Sequence, residues 1–200
     1  MNIKIILLDV GGVLVELTGI KRIIELMGGG IAKEEVDNLW NNSIYVNMFE
    51  TGKCDAMTFA KGLIGELNMK ISPENFLDEY ALFPRGFFPG VPELLEILRS
   101  RYTVACFSNT NSLQWDSLCE RISIDKYFHK TFFSFEIGSM KPNPEAYTYV
   151  KSMLTCNPSE IAFFDDNIQN VQAGINAGMN AYQAVGTEDL KQKLIELVLL

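Results

Sequence analysis

Asp9 closes a short apolar run, Ile3-Lys4-Ile5-Ile6-Leu7-Leu8, and passes at once into Val10-Gly11-Gly12-Val13. That order delivers one carboxylate from the end of a buried strand into a glycine turn. A carboxylate beside apolar residues is costly unless a cation or hydrogen-bond donors meet it. Alone the segment says little, because a strand-end Asp is more often a turn former. Three later segments supply what it needs: Phe107-Ser108-Asn109-Thr110, Ser139-Met140-Lys141-Pro142 and Phe163-Phe164-Asp165-Asp166-Asn167. They bring a hydroxyl, an ammonium and a carboxylate pair.

An aspartate can attack phosphorus to form an aspartyl-phosphate, dividing one hard step into two. Charge opposes the attack: like charges about 4 Å apart repel by roughly 4 kcal/mol at an effective dielectric near 20. Asp9 and Asp166, with Asp165 directly or through a water, could hold Mg²⁺, a hard cation that takes oxygen ligands. Lys141 adds a second positive charge. Ser108, Asn109 and the backbone amides there could hydrogen-bond phosphoryl oxygens. Gly11 and Gly12 let the backbone approach a phosphate closely. Asn170, four residues past Asp166 on the same helix face, is placed to orient a metal-bound water.

These groups need a scaffold that brings them together. After the first strand, apolar runs predict strands over Tyr102–Phe107, Thr131–Phe135, Glu160–Phe164 and Asn180–Val185. Helical patterns lie between them, opened by Pro92 and by Asn143-Pro144, marked by Ile168, Val171 and Ile175, and capped at the last by Thr187. Alternation at this spacing implies an α/β fold, a Rossmann-like parallel sheet with helices on both faces. In such a sheet ligands sit beyond the carboxyl ends of the strands, where Asp9, Ser108 and Asp165-Asp166 all fall. The stretch 17–84 differs, carrying helical periodicity and no strand pattern. We expect four helices there, forming a helical cap inserted into a core of residues 1–16 and 85–200.

The bulk properties bound the class of partner. The 200 residues carry a formal charge of −8 and no cationic run, which argues against nucleic acid or an anionic membrane as main partner. His129 is the single histidine, so one chain holds no multi-histidine metal site, and strand entry is its expected role. Cys54, Cys106, Cys119 and Cys156 lack Cys-x-x-Cys spacing and read as reduced thiols of a cytoplasmic protein. The cap aromatics Trp40, Tyr45 and Phe49 either face a substrate or pack the insert.

Taken in order, Asp9-x-Gly-Gly-Val, Ser108-Asn109-Thr110-Asn111, Lys141-Pro142 and Phe164-Asp165-Asp166-Asn167 resemble the haloacid dehalogenase-like (HAD) superfamily with its type-1 cap. In wording the chain is closest to the branch that resembles bacterial α-D-glucose-1-phosphate phosphatase. The resemblance implies a Mg²⁺-dependent phosphatase of a small phosphorylated metabolite, with Asp9 as nucleophile, Lys141 as catalytic partner and the Gly11 carbonyl as a metal ligand. One position departs from the pattern. Most phosphatases of the superfamily carry a second Asp two residues past the nucleophile, where this chain has Gly11. A positioned acid contributes about 10²–10⁴ in rate. A good leaving group such as a sugar 1-phosphate would reduce the need for it, or Glu16 could replace it. The alternatives are a 2-haloacid dehalogenase, which attacks carbon without metal, or a phosphometabolite-binding protein with weak turnover.

Overall fold

The protein, described here by a computed structural model over residues 2–200, is built on five parallel strands in the order β5-β4-β1-β6-β7. They are β1 (Ile5–Leu8), β4 (Thr103–Ser108), β5 (Lys130–Phe133), β6 (Ile161–Asp165) and β7 (Asn180–Gln183). Their sequences are almost wholly apolar because both faces are covered. Ile6, Leu8, Val104, Cys106 and Phe164 face a core shared with α6 (Val91–Arg101), α7 (Ser112–Ile122) and α11 (Gly186–Glu196). Alternate residues Ile5, Leu7, Ala105, Phe107 and Phe163 face a second core with α9 (Pro144–Met153) and α10 (Ile168–Asn176). The register pairs Leu8 with Cys106 on one side and with Phe164 on the other. The carboxyl ends of the three central strands therefore stop together, and that fixes where the chemistry sits.

Between β2 (Val15–Leu17) and β3 (Pro84–Phe87) lie five helices: α1 (Gly19–Leu26), α2 (Lys33–Asn42), α3 (Ile44–Glu50), α4 (Ala56–Glu66) and α5 (Pro73–Tyr80). They enclose an apolar core of their own, with Phe49 stacked on Phe59 at 4.5 Å and Tyr80 edge-on to Phe83 at 5.3 Å. Ser43 interrupts the expected second helix. Its extended backbone ends α2, and its hydroxyl accepts from Val46 N to start α3.

Three further expectations need correction. Val15–Leu17 and Pro84–Phe87 pair antiparallel, so a two-stranded ribbon crosses the boundary drawn from the sequence. Thr131–Phe135 is only partly a strand: β5 ends at Phe133, and Ser134–Ile137 form a short helix, α8. Val185, not Thr187, stands at the N-cap of α11, its amide donating to Asp189 Oδ2 at 3.0 Å.

Candidate active site

Lys141 is the centre of the arrangement. Its ammonium donates to Asp165 Oδ2 at 2.6 Å and to the Phe107 carbonyl at 2.8 Å, and stands 3.1 Å from Asp9 Oδ1. An ammonium has three donors, and all three are engaged within the protein. Burial alone would lower the Lys141 pKa; the carboxylates of Asp9 and Asp165 outweigh it and raise the value. Asn109 holds the lysine's backbone in a reciprocal pair, its Nδ2 donating to the Lys141 carbonyl at 2.9 Å and its Oδ1 accepting from the Lys141 amide at 2.8 Å. The Asn109 side chain is thus committed to positioning Lys141. The Thr110 amide is likewise taken, by Ser134 Oγ at 3.0 Å. Ser108 Oγ, whose contact with the Asn109 carbonyl is a marginal 3.5 Å, keeps its hydroxyl for a ligand.

The three carboxylates differ in environment. Asp165 is wholly buried, with Oδ2 on Lys141 and Oδ1 accepting from the Asn167 amide and Asn170 Nδ2, each at 2.9 Å. Asp9 accepts from the Val10 amide at 2.7 Å, and burial pushes its carboxyl up to about 7 against the pull of Lys141. Asp166 is also raised, by burial first and by the charge of Asp165 second. Oxygens of Asp9, Asp165 and Asp166 lie within 4.8 Å of one another. One ammonium does not neutralise three such groups, so the donor set fits a bound divalent cation. Two acceptors left unpartnered within the protein, one of them buried, point the same way. The Gly11 carbonyl accepts no hydrogen bond among the described residues, and neither does buried Asn170 Oδ1. Tyr147 OH, donating to the Asn170 carbonyl at 2.7 Å, fixes that residue.

Gly12 is required by its neighbours. Its φ is +74°, and a Cβ there would collide with Asp166 Oδ2. We expect Gly12→Ala to lower stability by about 1–3 kcal/mol through left-handed strain, or roughly 2–12 °C in Tm. It should also shrink the thermal stabilisation by Mg²⁺ because Asp166 is displaced. Melting curves in EDTA and in Mg²⁺ read both effects.

Over this cluster opens a cavity of about 720 Å³, within the usual range for small-molecule sites. Gly12, Ser108 and Asp166 line it from the sheet side, and Trp40, Glu50 and Tyr80 from the helical side. Of the three aromatics singled out in the sequence, only Trp40 lines the cavity; Phe49 is in the helical core and Tyr45 packs on Gly62. Glu16 also lines it, but is exposed and has no hydrogen bond or ion pair among the described residues. His129 Nδ1 meets the Val104 amide at 3.1 Å and belongs to strand entry. Glu50 and Tyr80 were not foreseen. The one sequence signal for Glu50 is an acid in the last turn of a helix, where the dipole disfavours it.

A five-stranded parallel sheet with a strand-end Asp, a buried lysine and an acidic pair places the chain in a defined class. It belongs to the haloacid dehalogenase-like hydrolases, whose family pattern matches residues 3–178. It is 29% identical over 204 residues to a D-ribitol-5-phosphate phosphatase of Bacteroides thetaiotaomicron, covering 96% of this chain and 97% of that protein. It is 30% identical over 149 residues to a chloroplast flavin mononucleotide hydrolase of Arabidopsis thaliana, covering 70% of this chain and 60% of that one. Among solved structures, a HAD family enzyme of Bacteroides thetaiotaomicron in complex with magnesium and inorganic phosphate superposes with a TM-score of 0.77 at 26% identity, covering 91% of this chain and 94% of that one. An L-2-haloacid dehalogenase of Xanthobacter autotrophicus shares the fold, with a TM-score of 0.66 at 16% identity. Among the described residues no helix is long and apolar enough to cross a membrane.

Proposed function

We propose that the protein is a Mg²⁺-dependent phosphatase of a small hydroxylated phosphomonoester, a sugar 1-phosphate or a polyol phosphate, with Asp9 as nucleophile. The observation that carries this reading is the clustering of Asp9, Asp165 and Asp166 around Lys141 beside a cavity that Ser108 lines. The named phosphatases among its relatives, and the magnesium and phosphate bound in a similar structure, support it. Residues 17–84 are proposed as a cap that closes the cavity, pivoting at the ribbon of β2 and β3.

In the proposed reaction an Asp9 oxygen attacks phosphorus, the P–O bond to the leaving group breaks, and the leaving oxygen takes a proton from solvent water. Water then attacks the acyl-phosphate, releasing inorganic phosphate and regenerating the carboxylate. Mg²⁺, held by Asp9, Asp166 and the Gly11 carbonyl, with Asp165 directly or through a water, would neutralise the approaching phosphate. Lys141 spaces Asp9 from Asp165 and offsets their charge. Asn170 secures Asp165, and its unpartnered oxygen would be available to a water held by the cation. Ser108 donates to a phosphoryl oxygen.

Gly11 leaves the leaving oxygen without the usual acid, and Glu16 is not fixed in place to supply one. We therefore expect kcat/KM to rise steeply as leaving-group pKa falls, with an aryl ester about 10²-fold above a simple alkyl ester. A series of phosphomonoesters graded in leaving-group pKa tests this. A flat dependence would mean that another residue donates the proton.

A further inference from the structure

Glu50 has no part in the phosphoryl chemistry, yet it is built into the site. We propose that it is the specificity residue of the cavity, accepting hydrogen bonds from a hydroxyl on the leaving-group portion of the substrate. This rests on the phosphatase reading and assigns its substrate class.

Three observations place it. The turn after α3 is seated on the sheet side of the seam: Gly52 has φ +68°, and a Cβ there would strike the Phe135 carbonyl. Thr51 Oγ1 donates to the Asn47 carbonyl at 2.6 Å and closes the helix. Glu50 is thereby held at the junction of the two units, lining the cavity that Gly12, Ser108 and Asp166 line from the other side. Finally, its carboxylate has no hydrogen bond or ion pair among the described residues, and Ile20, Ile24, Trp40 and Phe83 line the same cavity.

Glu50 is partly buried, burial pushes its carboxyl up to about 7, and a donor from a ligand that displaces water there would offset the cost. The phosphate cannot be its partner, since like charges repel. What remains is the other end of the ester, where a hydroxyl can donate to the carboxylate. A polyol or sugar has them in abundance; an unsubstituted aryl ester has none. The other charged or titratable groups around this cavity are Glu16, Lys21, Lys33, Asp37, Tyr80 and Asp166. Tyr80 OH is already engaged by Asn111 Nδ2 at 2.8 Å.

The test compares ribitol 5-phosphate and glucose 1-phosphate with p-nitrophenyl phosphate in wild type, Glu50→Ala and Glu50→Gln. Glu50→Ala is expected to lower the kcat/KM ratio of the better hydroxylated ester to the aryl ester at least tenfold, mainly through KM. Glu50→Gln should recover part of it, because its amide oxygen still accepts. In wild type the ratio should fall as pH drops below about 7, where the carboxylate takes a proton, and in Glu50→Gln it should not. An equal loss on both ester types, or an unchanged ratio, overturns the assignment. If folded wild type releases no phosphate from any ester, the phosphatase reading fails separately. The thermal shift given by ribitol 5-phosphate then decides for Glu50: reduced in Glu50→Ala it supports the role, unchanged it overturns it.

Discussion

Asp9→Asn is expected to abolish phosphate release, by about 10⁴-fold or more, the scale on which loss of a nucleophile acts. Asparagine keeps the shape and one acceptor, so it can still meet the Val10 amide and Lys141. It cannot form the acyl-phosphate. The fold should not suffer. Asp9 is a buried carboxylate in a cluster of three, and desolvation already opposes its ionised form. Removing that charge relieves repulsion while Lys141 keeps Asp165 and the Phe107 carbonyl. A melting temperature in EDTA equal to or above wild type, with turnover gone, separates loss of chemistry from loss of structure. A residual rate within about tenfold of wild type would remove Asp9 from the nucleophile's place.

Lys141→Met has the second-largest expected effect and a different signature, because it damages stability and rate together. Methionine fills the volume but leaves Asp9 and Asp165 buried without their cation, and breaking such a set costs about 3–5 kcal/mol. For a chain of this size that is roughly 6–20 °C in Tm. Turnover should fall about 10²–10³-fold as preorganised positive charge is lost. The pH dependence fixes the cause. Burial pushes the Asp9 carboxyl up to about 7 in the folded state, above the ordinary aspartate range, so ionising it disfavours the folded state. That contribution is absent below the unfolded value and grows as pH rises toward the folded one. Without Lys141 the Asp9 value climbs further, so the deficit of the variant in EDTA should be smaller at acid pH than at neutral pH. Denaturation at two pH values reads this directly. Lys141→Arg is not a mild control, since a planar guanidinium cannot place three donors where one ammonium does.

The sequence made the chemistry at the strand ends legible for a physical reason. Parallel strands buried on both faces read as plain apolar runs, and a polar residue at the end of such a run has few reasons to be there except function. Asp9, Ser108 and Asp165-Asp166 were found that way, and Lys141 between them. Roles that depend on which hydrogen bonds are already taken were not visible. The Asn109 side chain is committed to Lys141 and the Thr110 amide to Ser134, and no sequence pattern announces either bond. Short elements fixed by tertiary contact were missed as well. The ribbon of β2 and β3 has only the pairs Val15–Phe87 and Leu17–Pro84 to announce it, and the break at Ser43 turns on a single extended residue. Glu50 was hidden because its environment is created by the seating of Gly52 against Phe135, a contact between residues far apart in the chain.

The most direct test of the central claim is phosphate release from p-nitrophenyl phosphate by wild type and Asp9→Asn side by side, each in saturating Mg²⁺ and in EDTA. We predict turnover only for wild type with Mg²⁺, and none above background in the other three conditions. Release that persists in EDTA, or in Asp9→Asn with Mg²⁺, would contradict the account.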